Sequence, residues 1–62
     1  MELQEIREKL RPTDYRLIAA KLKGLYTEGT VRMQLTGRRT LKDPVRDAAI
    51  ELIEMREKYV NN

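Results

Sequence analysis

The 62-residue sequence contains no cysteine, histidine, serine, phenylalanine or tryptophan. Without cysteine and histidine, it offers no disulfide, no thiolate or imidazole ligand for a metal and no imidazole base. Without serine and cysteine, it lacks the two most common side-chain nucleophiles. We therefore expect a protein that is not an enzyme and that uses no metal or cofactor.

Long apolar runs are also missing. The longest run is four residues, Leu17 to Ala20, whereas a membrane span needs about 20, and the first residues lack the apolar core of a secretory signal. We expect no membrane partner and a cytoplasmic location. An apolar fraction of 40% argues against disorder, and the length fits a single domain spanning residues 1–62.

Positive charge is concentrated in the middle of the chain. Residues 11–42 carry eight basic and two acidic side chains, a net charge of +6, whereas residues 1–10 and 43–62 have net charges of −1 and −2. This asymmetry favours a surface that faces a polyanion. The alternative is a solvated face of mixed charge.

Apolar residues spaced three and four apart predict an all-α fold of four short helices, at about 2–11, 14–23, 28–36 and 44–59. Pro12 ends the first helix, and Thr13 is a candidate cap for the second, which ends near Gly24. The inward stripes of these two helices are Leu3, Ile6, Leu10, Tyr15, Ile18, Ala19 and Leu22.

The third and fourth helices carry clearer signals at their ends. Thr27 is predicted to cap the third helix, and Gly37 to end it in a left-handed conformation. Asp43 followed by Pro44 is typical of a helix start, because a capping side chain precedes a proline in the first helical position. The inward stripes are Val31, Leu35, Val45, Ala48, Ala49, Leu52, Ile53, Met55 and Tyr59.

Residues 16–40 resemble the helix-turn-helix of the lactose-repressor and lambda-repressor-like (phage Cro-like) families. The matching features are an Ile-Ala pair and a leucine in the first helix, a threonine cap, a Thr-Val pair and a Leu-x-Gly-basic end: Ile18, Ala19, Leu22, Thr27, Thr30, Val31, Leu35, Gly37 and Arg38. The segment from Leu22 to Thr27 is two residues longer than the tight turn of these families, and Gln34 stands where they usually keep an aliphatic side chain.

The resemblance implies a small helix-turn-helix transcriptional regulator, such as a phage or plasmid repressor, that binds specific duplex DNA sequences. Helix 28–36 would lie in the major groove, where Arg32 can bind guanine and Glu28 can accept from cytosine. The expected base contacts are Glu28, Gly29, Arg32, Met33 and Thr36. The expected phosphate contacts are Arg16, Lys23, Thr27, Arg38, Arg39 and Lys42.

The apolar stripe of the last helix is wide for so short a chain. We expect part of it to form a homodimer interface through Ile50, Met55 and Tyr59, since such regulators usually bind two half-sites. A monomer with Ile50 exposed is the alternative. We also expect no small-molecule effector domain in a chain of this length. The resemblance implies the cytoplasm of a bacterial or phage-infected cell.

A function of another class also fits the pattern. The same helices would serve an adaptor, or a small phage or mobile-element component, that binds an acidic protein partner. Gly29 and Met33, on the face of the third helix that would contact bases, favour this alternative. The +6 segment and Arg38-Arg39 favour nucleic acid. RNA is a third candidate ligand, but the sequence predicts no exposed aromatic platform for its bases.

Overall fold

Four helices make up most of the chain in the computed structural model, which describes the backbone of residues 1–60 and the side chains of residues 1–59. They are α1 (Leu3–Lys9), α2 (Asp14–Lys21), α3 (Glu28–Leu35) and α4 (Asp43–Val60). Residues 1–60 contain no strand. The predicted all-α fold is confirmed, and each helix end lies within two residues of its expected position.

The core takes side chains from all four helices. The buried apolar residues are Ile6, Ile18, Val31, Leu35, Val45, Ala48, Ala49 and Ile53, and every one belongs to a predicted stripe. Full burial of one valine, leucine or isoleucine side chain contributes roughly 1.5–3 kcal/mol, so six such side chains and two alanines make a small core. Met55 and Tyr59 differ, because both are exposed and lie outside the core.

Helix α2 begins at Asp14 as predicted, but its cap differs from the prediction. Thr13 has helical backbone angles and its side chain makes no capping hydrogen bond, so the expected Thr13 cap is wrong. The carboxylate of Asp14 is completely buried and accepts from the Arg11 backbone N–H at 2.7 Å and from Arg56 Nη1 at 2.6 Å. The second guanidinium nitrogen of Arg56 donates to the other carboxylate oxygen. The paired carboxylate thus joins the start of α2 to α4.

The segment between α2 and α3 begins with two left-handed residues. Lys23 has φ of 54° and Gly24 has φ of 83°, which ends α2 two residues before the predicted position because an α-helix needs negative φ. At the far end, Thr27 is extended and its Oγ1 accepts from the Thr30 N–H at 3.2 Å. The predicted cap of α3 is confirmed.

Gly37 ends α3 as expected, with φ of 85°. The Gly37 N–H donates to the Gln34 carbonyl at 3.3 Å and the Arg38 N–H to the Met33 carbonyl at 2.8 Å. This is the Schellman arrangement, which needs a left-handed residue after the helix. The buried Gln34 side chain then accepts from the Lys42 N–H at 3.0 Å. The basic loop 37–42 is thus fixed to α3 at both of its ends.

The longest helix, α4, packs against each of the other three. It begins at Asp43, one residue before the predicted start. The Asp43 carboxylate lies 3.4 Å from the Arg46 guanidinium within the first turn. Within residues 1–60, no helix is both long and apolar enough to cross a bilayer.

Ion pairs connect α4 to the first two helices. Lys9 Nζ lies 3.0 Å from Glu57 Oε2, and Lys21 Nζ lies 2.5 Å from Glu51 Oε1. The hydrogen bond to Glu57 raises the pKa of the Lys9 ammonium above its ordinary value. The charges on this side of the molecule therefore compensate one another.

Candidate nucleic-acid interface

Helix α3 presents its amino-terminal half to solvent. Gly29 and Arg32 are exposed, whereas Met33 and Thr36 are half-buried where α1 packs against α3. We expected Gly29, Met33 and Thr36 to share the outward face. The structure places all three away from the core, but Met33 and Thr36 are half-buried, so Gly29 and Arg32 are the exposed residues of this surface.

Glu28 lies between two arginines at the start of α3. Its carboxylate is 3.7 Å from Arg16 Nε and 4.0 Å from Arg32 Nη2. These pairs are long and exposed, so each contributes little to stability and each can open when a ligand approaches. Arg16, an expected phosphate contact, therefore lies at the same end of α3 as Glu28 and Arg32.

The Arg32 side chain also contacts an aromatic ring. Its guanidinium carbon lies 5.5 Å from the centre of the half-buried Tyr15 ring, a cation–π contact worth about 0.5–1 kcal/mol at an exposed site. Tyr15 belongs to the predicted inward stripe of α2. It packs against the core and also orients Arg32.

Thr36 is the C-cap of α3, and its hydroxyl forms a hydrogen bond within the helix. Its Oγ1 donates to the Arg32 carbonyl at 2.7 Å. The hydroxyl proton is thus occupied in the free protein, and the oxygen keeps acceptor capacity alone. A base contact by Thr36 would require either an incoming donor or the loss of this bond.

One flank of α3 borders an open cavity of about 460 Å³. It is lined by Arg7 from α1, by Arg32, Met33 and Thr36 from α3, and by Arg38 from the following loop. Three of the five lining side chains are therefore guanidinium groups, and none is acidic. We name this cavity the α1–α3 pocket.

The opposite flank of α3 borders a second open cavity, of about 510 Å³. Its basic residues are Arg39 and Lys42, and its other lining residues are Tyr26, Thr30, Gln34 and Thr40. Thr30 and Arg32 are two residues apart, or about 200° around a helix, which sets the two cavities on different sides of α3. We name this cavity the α3-loop pocket.

The remaining expected phosphate contacts lie nearer the amino end of α3. Lys23 is exposed in its left-handed turn, and Thr27 is exposed at the cap. Arg16 shares a shallow cavity with Glu28, Pro12 and Thr13. These residues are separate from the two basic pockets.

Arg7 was not among the sequence-predicted site residues. It lies on α1, in a segment of net negative charge, and only the packing of α1 against α3 brings it beside Arg32 and Arg38. The one usable signal was its position next to buried Ile6. That position places Arg7 at the edge of the helix face that turns toward the core.

The expected dimer residues lie on different faces of α4. Tyr59 is 88% exposed and Met55 is 57% exposed, and their spacing of four residues places them on one face. Ile50 is partly buried against the core, and its nine-residue separation from Tyr59 corresponds to about 180° around a helix. A single interface could therefore use Met55 and Tyr59 but would exclude Ile50.

Residues 1–60 contain no cluster of three side chains suited to holding a metal ion. The comparisons with protein families, curated proteins and solved structures gave no match for this chain.

Proposed function

We propose that the chain binds duplex DNA as a helix-turn-helix transcriptional regulator, with α2 and α3 as the motif and α3 entering the major groove. One observation carries the proposal: α3 is flanked by two pockets that contain five basic side chains and no acidic one. A helix in the major groove has a phosphate backbone on each side, so basic groups on both flanks match that environment.

The exposed amino-terminal half of α3 supports the same arrangement. In helix-turn-helix docking, the first residues of the recognition helix contact base edges. Here Glu28, Gly29 and Met33 would face the bases, with Arg32 at the border of the α1–α3 pocket. Gly29 has open space around its Cα, since an added Cβ would meet nothing closer than Thr27 Oγ1 at 4.0 Å. The backbone of DNA or a base edge can therefore approach this turn closely.

The free charges favour a polyanionic ligand over a solvated face. Among residues 1–60, seven basic side chains have no acidic partner within 4.0 Å: Arg7, Arg11, Lys23, Arg38, Arg39, Lys42 and Lys58. The other six each have at least one: Lys9, Arg16, Lys21, Arg32, Arg46 and Arg56. The cations without partners include all the basic side chains of the two pockets except Arg32. Cations near α3 are thus left for a ligand to neutralise.

A homodimer through α4 would place two copies of α3 on successive half-sites. The proposed interface centres on Met55 and Tyr59 beside the partly buried Leu52, all on one face of α4. Sedimentation equilibrium should give a mass of twice 7.3 kDa, and Met55→Glu/Tyr59→Glu should return the protein to a monomer. A mass of 7.3 kDa for the unsubstituted protein across the micromolar range would contradict the dimer.

The test of DNA binding is a fluorescence anisotropy titration of a mixed-sequence duplex of about 25 base pairs at two salt concentrations. Each phosphate contact contributes about −0.9 to the slope of log K against log salt, so contacts to three to five phosphates predict a slope between about −3 and −5. Arg38→Glu/Arg39→Glu should abolish binding because it reverses one charge in each pocket.

The matched control is Arg46→Glu/Lys58→Glu, which makes the same change in net charge on exposed positions of α4. It should retain most of the affinity. Equal losses in the two double variants would mean that net charge alone drives binding. No binding of the unsubstituted protein at low salt would reject the DNA proposal and direct attention to an acidic protein partner.

A further inference from the structure

We infer that the α1–α3 pocket is a phosphate-binding site in which Arg7, Arg32 and Arg38 together hold one phosphodiester group of the DNA backbone. The inference deepens the proposed function and relies on it for the source of the phosphate. It adds α1 to the interface, and it assigns Arg32 to the backbone of DNA, in contrast to the base contact expected from the sequence.

The composition of the pocket points to an anion. Its polar lining consists of three guanidinium groups and one threonine, and the fifth residue is the half-buried Met33. A guanidinium offers five N–H donors and no acceptor, and its planar fork matches two phosphate oxygens at once. Three like charges around one cavity repel one another, and a bound anion removes that repulsion.

The three arginines come from three separate segments whose positions are fixed. Arg7 follows buried Ile6 on α1, Arg32 is oriented by the Tyr15 ring, and the backbone of Arg38 is held by its N–H bond to the Met33 carbonyl. A site built from fixed segments loses less conformational entropy on binding than one built from a mobile tail. This arrangement distinguishes the pocket from a run of surface charge.

The free protein provides one weak competitor for the anion. Glu28 lies 4.0 Å from Arg32 Nη2 but does not line the pocket. Within residues 1–60, Arg7 and Arg38 have no carboxylate within 4.0 Å. A phosphate therefore displaces at most one long ion pair, and Glu28 remains paired with Arg16 when it does.

The test compares Arg7→Gln with Lys58→Gln, a matched loss of one positive charge at an exposed position that does not line the pocket. Circular dichroism would first establish that both variants keep the helical content of the unsubstituted protein. The first probe is inorganic phosphate, titrated at constant ionic strength against sodium chloride while the amide shifts of Thr36 to Arg38 are followed by NMR. The second probe is the mixed-sequence duplex at two salt concentrations.

We expect saturable phosphate shifts at Thr36 to Arg38 in the unsubstituted protein and in Lys58→Gln. In Arg7→Gln the dissociation constant for phosphate should rise at least about threefold. On the duplex, Arg7→Gln should raise the dissociation constant at least about threefold. The salt slope should fall by no more than about 0.9, because Arg32 and Arg38 still contact the same phosphate. Arg32→Gln should weaken binding to all duplex sequences alike.

The results distinguish a failure of the phosphate-binding inference from a failure of the proposed DNA binding. Salt-sensitive duplex binding in which Arg7→Gln leaves both the duplex affinity and the phosphate affinity unchanged would overturn the pocket and leave DNA binding standing. Phosphate binding that requires Arg7, in a protein that binds no duplex, would support the anion pocket and overturn DNA as the source of the phosphate.

Discussion

The two sides of this small protein use their charges differently. Where α1 and α2 meet α4, charged side chains pair across helices, as in Asp14–Arg56, Lys9–Glu57 and Lys21–Glu51. Around α3, the two pockets collect basic side chains and exclude acidic ones. In the first group the buried Asp14–Arg56 pair joins α2 to α4, whereas the two exposed pairs contribute little to stability. In the second group, Arg7, Arg38, Arg39 and Lys42 have no acidic partner within 4.0 Å among residues 1–60. We therefore predict that substitution of the buried pair reduces stability, whereas substitutions in the two pockets reduce binding.

The largest effect is expected from Asp14→Ala. This substitution removes a completely buried carboxylate and leaves both the Arg11 N–H and the Arg56 guanidinium without their partner. Breaking a buried pair costs about 3–5 kcal/mol, and the partial exposure of Arg56 favours the lower value, about 3 kcal/mol. Thermal unfolding followed by circular dichroism should show a fall in Tm of at least about 10 °C.

Asp47→Ala is the matched control for that experiment. Asp47 is an exposed carboxylate on α4 and forms no ion pair within 4.0 Å among residues 1–60. Its loss should change the free energy of unfolding by no more than about 0.5 kcal/mol. Similar Tm values for the two variants would contradict the structural role assigned to Asp14.

The same pair predicts a dependence of stability on pH. The hydrogen bonds from Arg56 lower the pKa of the Asp14 carboxyl in the folded protein below its ordinary value, despite the opposing effect of burial. A lowered folded-state pKa contributes stability that is fully present above the unfolded-state pKa of about 3.9. That contribution is lost as the pH falls through the folded-state pKa.

Urea denaturation between pH 7 and pH 2 measures this effect as the free energy of unfolding. The unsubstituted protein should lose stability as the pH falls below about 4, and Asp14→Asn should lose less over the same interval because it has no carboxyl to protonate. Parallel curves for the two proteins would show that other carboxyl groups govern acid unfolding.

These stabilising contacts also mark the limit of sequence-based prediction. Local signals identified the four helices, the Thr27 cap and the Gly37 end, because each depends on side chains within a few positions along the chain. The burial of Asp14 was not predicted, since its partner Arg56 is 42 positions away. The cap assigned to Thr13 was wrong because Thr13 has helical backbone angles and its side chain makes no capping hydrogen bond.

The candidate site was also predicted only in part. The sequence placed Arg38, Arg39 and Lys42 in a loop after α3, but it could not show that the loop splits them between two pockets. That division depends on Gln34, a buried amide that accepts the Lys42 N–H. Arg7 escaped prediction because its role depends on the packing of α1 against α3, which no local pattern in a single sequence records.

In the α1–α3 pocket, Arg32→Gln tests whether Arg32 would contact the DNA backbone or a base. Loss of this arginine should weaken duplex binding by about 1–3 kcal/mol and should leave the Tm nearly unchanged, since its ion pair and cation–π contact are exposed. Binding to a panel of duplexes measures specificity. An equal loss on every sequence would support the phosphate pocket, whereas relaxed preference at one base pair would return Arg32 to base reading.

The smallest expected effect on stability comes from Gly29→Ala, and here stability and binding should move in opposite directions. Gly29 has no φ that requires glycine, and an added Cβ would meet only open space, so alanine should stabilise α3 by about 0.5 kcal/mol through its better helix propensity. If DNA approaches this turn closely, the added methyl group should weaken duplex binding.

Gly37→Ala is the matched control for Gly29→Ala. Its φ of +85° strains any L-residue, so alanine should destabilise the protein at this position. It should lower the free energy of unfolding by about 1 kcal/mol. Urea denaturation and duplex anisotropy on both variants give the four values needed. A Gly29→Ala protein that is more stable and binds DNA with unchanged affinity would mean that the ligand does not contact the first turn of α3. The surface that contacts DNA would then have to lie nearer the two basic pockets.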